Sequence, residues 1–270
     1  MKARFRIGGC VGAAIAAVML GAIAQPAAAL EISRHEAKDS AEVNAILLKG
    51  KIDLGDTFDL QVYIASLPKK PNIVVYLNSP GGNLAEGIRL GGFFYQNKIE
   101  TVVESKTGCT SACALAFLGG RDNGSGKPRR TKFSTAGLGF HSFSREFDKT
   151  RSYTADDLKV IVRGTQVQVF AVAEYLRSIG TDLDVVRLML RAAANQMNYL
   201  SNDDAIALNI RVWDEKRDQA VEPELVRDSL DRSHSVSSAS HPTASSTTGS
   251  ASTAAPRPVS KAEGSAKSPS

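Results

Sequence analysis

Three cysteines, four histidines, four methionines and one tryptophan are spread over 270 residues, and aromatics make up only 6%. Each scarcity closes off a class of function. Cys10 lies in the leading segment, so Cys109 and Cys113 stand alone in the body of the chain, with no neighbouring histidine or cysteine. Two thiols fall short of the four ligands of a structural zinc site, and neither a metal nor a cofactor is expected. The formal net charge of +5 is not gathered into a Lys/Arg cluster interleaved with aromatics, so nucleic acid is not an expected partner. No apolar run reaches the roughly 20 residues that span a bilayer. No segment repeats at a fixed period. What the chain does have is an apolar content of 43%, enough for a proper core.

The two ends differ from the middle. Lys2, Arg4 and Arg6 precede an apolar stretch from Val11 to Ile23, and Ala27-Ala28-Ala29 satisfies the small-residue rule for signal peptidase. Residues 1–29 therefore read as a cleaved secretory signal, and Cys10, ahead of the apolar stretch, does not suit a lipid attachment site. The expected location is periplasmic or secreted. From about Val221 onward Ser, Thr, Ala, Pro and Lys dominate and aromatics vanish. Such a composition buries too little apolar area to offset its ordering entropy, so residues 221–270 are expected to be a disordered tail. Residues 30–220 remain as one domain.

Within that domain strands and helices alternate. Asn44 to Leu48 reads as a buried strand, and Asp56 is placed to cap a helix carrying Leu60, Tyr63, Ile64 and Leu67 at helical spacing. Ile73 to Leu77 is a β-branched run without polar alternation, as in a parallel strand covered on both faces. A helix marked by Leu84, Ile88, Gly91 and Tyr95 follows, then a strand from Glu100 to Val103. Gly119 to Lys132 reads as a surface loop and Phe133 to Phe140 as a strand. Thr154 can cap a long helix from Ala155 to Ile179, Thr181-Asp182 starts another through Arg191, and Ser201 with Asp204 is a capping-box pattern for a short one. Ile210 to Trp213 reads as a last strand. The order predicts a layered α/β fold with a parallel sheet.

Thr107 to Gly120 is a small-residue turn running straight into an apolar helix, with Ser111 at its centre. Such a seat places a hydroxyl among unpaired backbone N–H groups; it also suits an ordinary capping serine. Upstream, Asn78 to Gly82 is a glycine-rich strand-to-helix turn, which suits an oxyanion site, a bound anion or simply a tight connection. Of the four histidines only His141 falls inside the predicted core, at a strand end. Serine acyl transfer needs a hydroxyl, a base and oxyanion donors, and Ser111, His141 and the N–H groups of Gly81, Gly82 and Ala112 are candidates for the three roles. Cys109 and Cys113 on one helical face would hold their Cβ atoms about 5–6 Å apart, wider than the roughly 3.5–4.5 Å of a disulfide. A disulfide requires Cys109 to precede the helix, and the sequence leaves both states open.

L-N-S-P-G-G-N-L-A-E-G at Leu77–Gly87, G-C-T-S-A-C-A-L-A-F-L at Gly108–Leu118 and G-F-H-S-F at Gly139–Phe143 resemble the three active-site blocks of the Clp protease proteolytic subunit, in the crotonase-like superfamily. With the L-S-x-x-x-A segment at Leu200–Ala205, the resemblance covers about Ala45 to Val212. It is closer still to secreted Clp-like proteins with a C-x-S-A-C motif. The resemblance implies a β-α superhelix, Ser111 as nucleophile, His141 as base, oxyanion donors from Gly81, Gly82 and Ala112, a handle-like helix at Ala155–Ile179, a peptide or protein substrate, and homo-oligomers. No ATPase partner is expected outside the cytoplasm. The sequence departs from the family at the third triad member: no carboxylate lies between Asp184 and Asp203, and Asn195 stands near the expected place. Asn195 could orient His141 by hydrogen bonding. Two other readings compete: a catalytically inactive binding or assembly protein of the same fold, and a Ser-Lys dyad drawing on Lys106, Lys127 or Lys132.

Overall fold

The computed structural model describes residues 29–36, 42–69, 71–142, 150–193 and 195–224. Apart from Ala29 the expected signal segment lies outside the described residues, and so does the expected tail beyond Glu224.

The fold is mixed α/β around a mostly parallel seven-stranded sheet of order β1-β2-β3-β4-β6-β9-β10. The parallel strands are β2 (Val43–Lys49), β3 (Asn72–Asn78), β4 (Glu100–Val103), β6 (Arg130–Phe133) and β9 (Arg211–Asp214), while β1 (Glu31–Arg34) and β10 (Gln219–Val221) add antiparallel at the two edges. Ile46, Leu48, Val75, Leu77 and Val103 are buried in the core, as continuous apolar runs in parallel strands require. A second sheet has the order β5-β7-β8, from β5 (Gly108–Thr110), β7 (Gly137–Phe140) and β8 (Asn198–Tyr199).

Helices α1 (Asp56–Ser66), α2 (Leu84–Gln96), α3 (Ala112–Phe117), α4 (Ala155–Ser178), α5 (Asp184–Arg191) and α6 (Asn202–Ala207) complete the chain. Thr154 closes a full capping box with Asp157, and the Ser201 side chain accepts from the Asp204 N–H, so two helix starts lie where their side chains indicate. Asp56 is not the cap of α1. Gly55 holds that position in the left-handed region, and the Asp56 carboxylate instead accepts from the Asp53 N–H at 2.7 Å. The buried face of α2 is Glu86, Gly87, Leu90, Gly91 and Phe94; of the face expected through Leu84, Ile88, Gly91 and Tyr95, Gly91 is buried and the other three are half-buried against the core.

The segment expected as a surface loop through Lys132 instead ends in β6, and Arg130, Thr131 and Lys132 are buried. Arg130 is accommodated because its guanidinium donates to the carbonyls of Leu118 (2.7 Å), Leu208 and Asn209 (both 3.3 Å) and to Thr181 Oγ1 (2.8 Å). Burial pulls its pKa down to about 10. The expected strand from Phe133 to Phe140 is two strands in different sheets, β6 and β7, separated by the turn at Ser134 to Ala136. The Glu215 carboxylate fixes that turn by accepting from the hydroxyls of Ser134 and Thr135.

Helix α4 is exposed along most of its length. Its buried residues are Val172, Tyr175 and Leu176, all near its C-terminal end, while Leu158, Val160, Val162, Val167 and Phe170 are exposed. The Tyr175 hydroxyl donates to the Leu115 carbonyl at 2.9 Å and anchors the helix to α3.

Candidate active site

Strand β3 stops at Asn78, and the chain passes through Ser79, Pro80, Gly81 and Gly82 into α2, whose first turn is capped by the Asn83 side chain. Beside it, β5 stops at Thr110 and passes through Ser111 into α3. The two strand-to-helix turns are stitched together. Ser79 N–H donates to the Gly108 carbonyl (2.8 Å), Thr110 N–H to the Ser79 carbonyl (3.0 Å), and Ser111 N–H to the Gly139 carbonyl of β7 (2.9 Å).

Ser111 sits at φ 59°, ψ −125°, a conformation uncommon for a residue with a Cβ. Holding it costs of order 1–3 kcal/mol, and such conformations cluster at functional sites. A serine on a sharp turn between strand and helix has its hydroxyl lifted clear of the sheet, as in nucleophile elbows. Its side chain makes no capping hydrogen bond to α3, so the plain capping role is not the one it plays.

Gly81 makes the close approach possible. It has φ 90°, and a Cβ at this position would lie 2.6 Å from the Thr110 carbonyl oxygen, 2.7 Å from Ser111 Cβ and 2.9 Å from the Ala112 nitrogen. The Gly81 N–H is already given to Ser79 Oγ at 3.0 Å. Gly81 therefore serves as the spacer between the turns. Gly82 N–H and Ala112 N–H make no hydrogen bond within the described residues, and they are the donors left for an oxyanion.

A cavity of about 190 Å³ is lined by Gly82, Leu84, Ser111, Ala112, Leu115, His141, Ser142, Gln168 and Met189. The structure thus brings together Ser111, His141, Gly82 and Ala112, with Gly81 behind them. Among the described residues Ser111 and His141 share no hydrogen bond, and His141 Nδ1 is buried without a partner. Asn195 is exposed and is not among the residues lining the cavity, and no hydrogen bond links it to His141. Ser142, next to the histidine, is fixed by its N–H donating to the Ala192 carbonyl at 3.2 Å.

None of the three lysines weighed for a dyad lines this cavity. Lys132 Nζ donates to Asn202 Oδ1 (2.7 Å) and to the carbonyls of Phe133 and Ser134, Lys127 pairs with Glu224 at 3.2 Å, and Lys106 is exposed. Among the described residues no group of three or more His, Cys, Asp and Glu is gathered as a metal ion would need.

Cys109 and Cys113 form a disulfide, with Cα atoms 5.2 Å apart. Cys109 lies in β5 and Cys113 in the first turn of α3, which meets the condition that the first cysteine precede the helix. Leu84, Leu115 and Ser142 fall within the motif blocks without having been singled out, and the cavity-lining residues outside those blocks are Gln168 and Met189. Gln168 and Met189 come from α4 and α5, remote in sequence from the serine, and their types carry no chemical signature. No family model and no curated protein matches the chain.

Proposed function

We propose that this protein is a serine hydrolase of the crotonase-like, Clp protease type, acting as a peptidase on peptides or small proteins in the periplasm or outside the cell. The observation that carries this reading is Ser111 on its strand-to-helix turn at positive φ, sharing one cavity with His141 and with Gly82 and Ala112, whose N–H groups make no hydrogen bond among the described residues. Ser111 Oγ attacks the scissile carbonyl as His141 takes its proton, and the oxyanion settles between the Gly82 and Ala112 N–H groups. His141 returns the proton to the leaving amine, and water then releases the acyl group by the same steps in reverse. A disulfide supports an oxidising compartment. Among the described residues no helix is long and apolar enough to cross a membrane. The exposed apolar side chains of α4 favour homo-oligomers formed by covering that helix with further copies.

Fluorophosphonate labelling of the purified protein, followed by intact mass, tests the reading. One label per chain, lost in Ser111→Ala and His141→Ala, is the expected result; a folded, oxidised protein that takes no label would sink it. A second reading, a catalytically inactive binding or assembly protein of the same fold, is favoured by one observation. Among the described residues no acceptor meets His141 Nδ1 to fix its tautomer, and loss of that acceptor function costs on the order of 10⁴-fold in serine proteases.

A further inference from the structure

Ser111 is bracketed by the disulfide, two residues after Cys109 and two before Cys113. The strand side of the link is fixed independently. Cys109 pairs with Leu138 of β7 and bridges to Ser79 at the end of β3. The helix side is the first turn of α3, whose Leu115 N–H donates to the Ser111 carbonyl at 3.2 Å. The bond therefore ties a fixed strand to the start of a short helix across the one residue of the turn at positive φ.

Chain geometry shows what the link excludes. A turn relaxed into extended chain would carry the two Cα atoms about 13 Å apart, far beyond the roughly 4.4–6.8 Å a disulfide allows. A turn relaxed into helix would set the Cβ atoms about 5–6 Å apart, beyond the roughly 3.5–4.5 Å the bond requires. The observed Cα separation of 5.2 Å belongs with the sharp reversal at Ser111. Both cysteines are 0% exposed, so the bond lies in the core beneath the turn.

We propose that the Cys109–Cys113 disulfide is the positioning device of the nucleophile, holding the Ser111 turn in its reversed conformation so that the serine reacts in the oxidised chain and loses reactivity on reduction. Cys109 and Cys113 act through Ser111 and touch no substrate. The chemical half of this proposal rests on the serine-hydrolase reading; the geometric half does not. Reduction by a dithiol proceeds by exchange. One thiolate attacks a cysteine sulfur and releases the other, the second thiol then displaces the first cysteine, and the dithiol leaves as a cyclic disulfide. The protein gains two electrons and two protons as two thiols.

The test follows the full-length oxidised protein, the same protein reduced with dithiothreitol in urea and refolded with the reductant present, since the buried bond is closed to thiols in the folded chain, the reduced protein reoxidised, and the Cys109→Ala/Cys113→Ala variant, all below their unfolding transitions by circular dichroism. Two readouts are taken: the rate constant of fluorophosphonate labelling, and amide hydrogen exchange at Leu115 and Thr110. Reduction is expected to slow labelling about tenfold or more and to speed exchange at Leu115 while leaving Thr110 protected, with reoxidation restoring both. A link that only adds stability would move the unfolding temperature and neither readout. Unchanged labelling and unchanged Leu115 exchange in the reduced, folded protein overturn the proposal. If the oxidised protein takes no label, that failure belongs to the serine-hydrolase reading, and Leu115 exchange alone decides the positioning: faster on reduction supports it, unchanged refutes it. If the double variant does not fold, reduced wild-type protein decides by the same two readouts.

Discussion

Replacing Gly81 by alanine perturbs the site at its tightest point. The new Cβ would lie 2.7 Å from Ser111 Cβ and 2.6 Å from the Thr110 carbonyl oxygen, at a residue with φ 90°. Neither neighbour is the free end of a flexible side chain. Thr110 and Ser111 are each held by a backbone hydrogen bond, to Ser79 and Gly139, so the overlap must be relieved by moving one turn away from the other. Placing a Cβ at positive φ costs roughly 1–2 kcal/mol, and overpacking adds about 1–3 kcal/mol. The total, about 2–5 kcal/mol, is a large share of the roughly 5–15 kcal/mol that holds a domain together. At a urea slope of roughly 2 kcal/mol/M the unfolding midpoint should fall by about 1–2.5 M. A displacement of the serine by about 1 Å should slow fluorophosphonate labelling on the order of 100-fold. Gly164→Ala is the control. A Cβ there meets nothing within 4 Å, and in exposed α4 it should stabilise by about 0.5–1 kcal/mol. A Gly81→Ala protein that keeps both the wild-type midpoint and the wild-type labelling rate would refute the close-approach reasoning.

Arg130→Leu should destabilise by about 3 kcal/mol or more, because it strands the buried carbonyl of Leu118 and the Thr181 hydroxyl and loosens those of Leu208 and Asn209; urea denaturation checks this. Burial raises the Glu215 pKa, but hydrogen bonds from Ser134, Thr135 and Ser105 outweigh it and hold the group down to about 2, against an ordinary 4.5. Its contribution to stability is complete above pH 4.5 and is lost as pH falls toward 2, so Glu215→Gln should show a shallower acid limb in that window by thermal unfolding. Phe170→Asp, on the exposed face of α4, should shift the protein toward monomer in light scattering while leaving its circular dichroism unchanged; an unaltered oligomer would remove α4 from the interface.

Strand β3 of the main sheet was legible because Ile73 to Leu77 is a β-branched run with no polar break, and β4 because Thr101 to Val103 is β-branched; β1 and β10, short and partly exposed edge strands, were not. Thr154 and Ser201 were legible as helix starts because their capping partners lie three residues on. Arg130 and Lys132 were not, since local reading puts charge at the surface. The carbonyls and hydroxyl that permit burial of Arg130 come from Leu118, Thr181, Leu208 and Asn209, segments that only the fold brings together. Strand β5 is three residues of G-C-T and gives no periodic signal. At the site, Ser111, His141 and the glycine turn were found through residue type and order. The hydrogen bonding within the turn was not: Gly81 gives its N–H to Ser79 Oγ, while the N–H groups of Gly82 and Ala112 make no hydrogen bond among the described residues. Asn195 was chosen by position along the chain, and the turn after α5 leaves it exposed.

The central claim is that Ser111 is an acylatable nucleophile. Its most direct measurement is mass analysis of the protein quenched in acid during turnover of an activated ester, with peptide mapping of the adduct. The account predicts one acyl group on the peptide carrying Ser111, absent in Ser111→Ala and slower to form in His141→Ala. No adduct, or an adduct on any other residue, would contradict it.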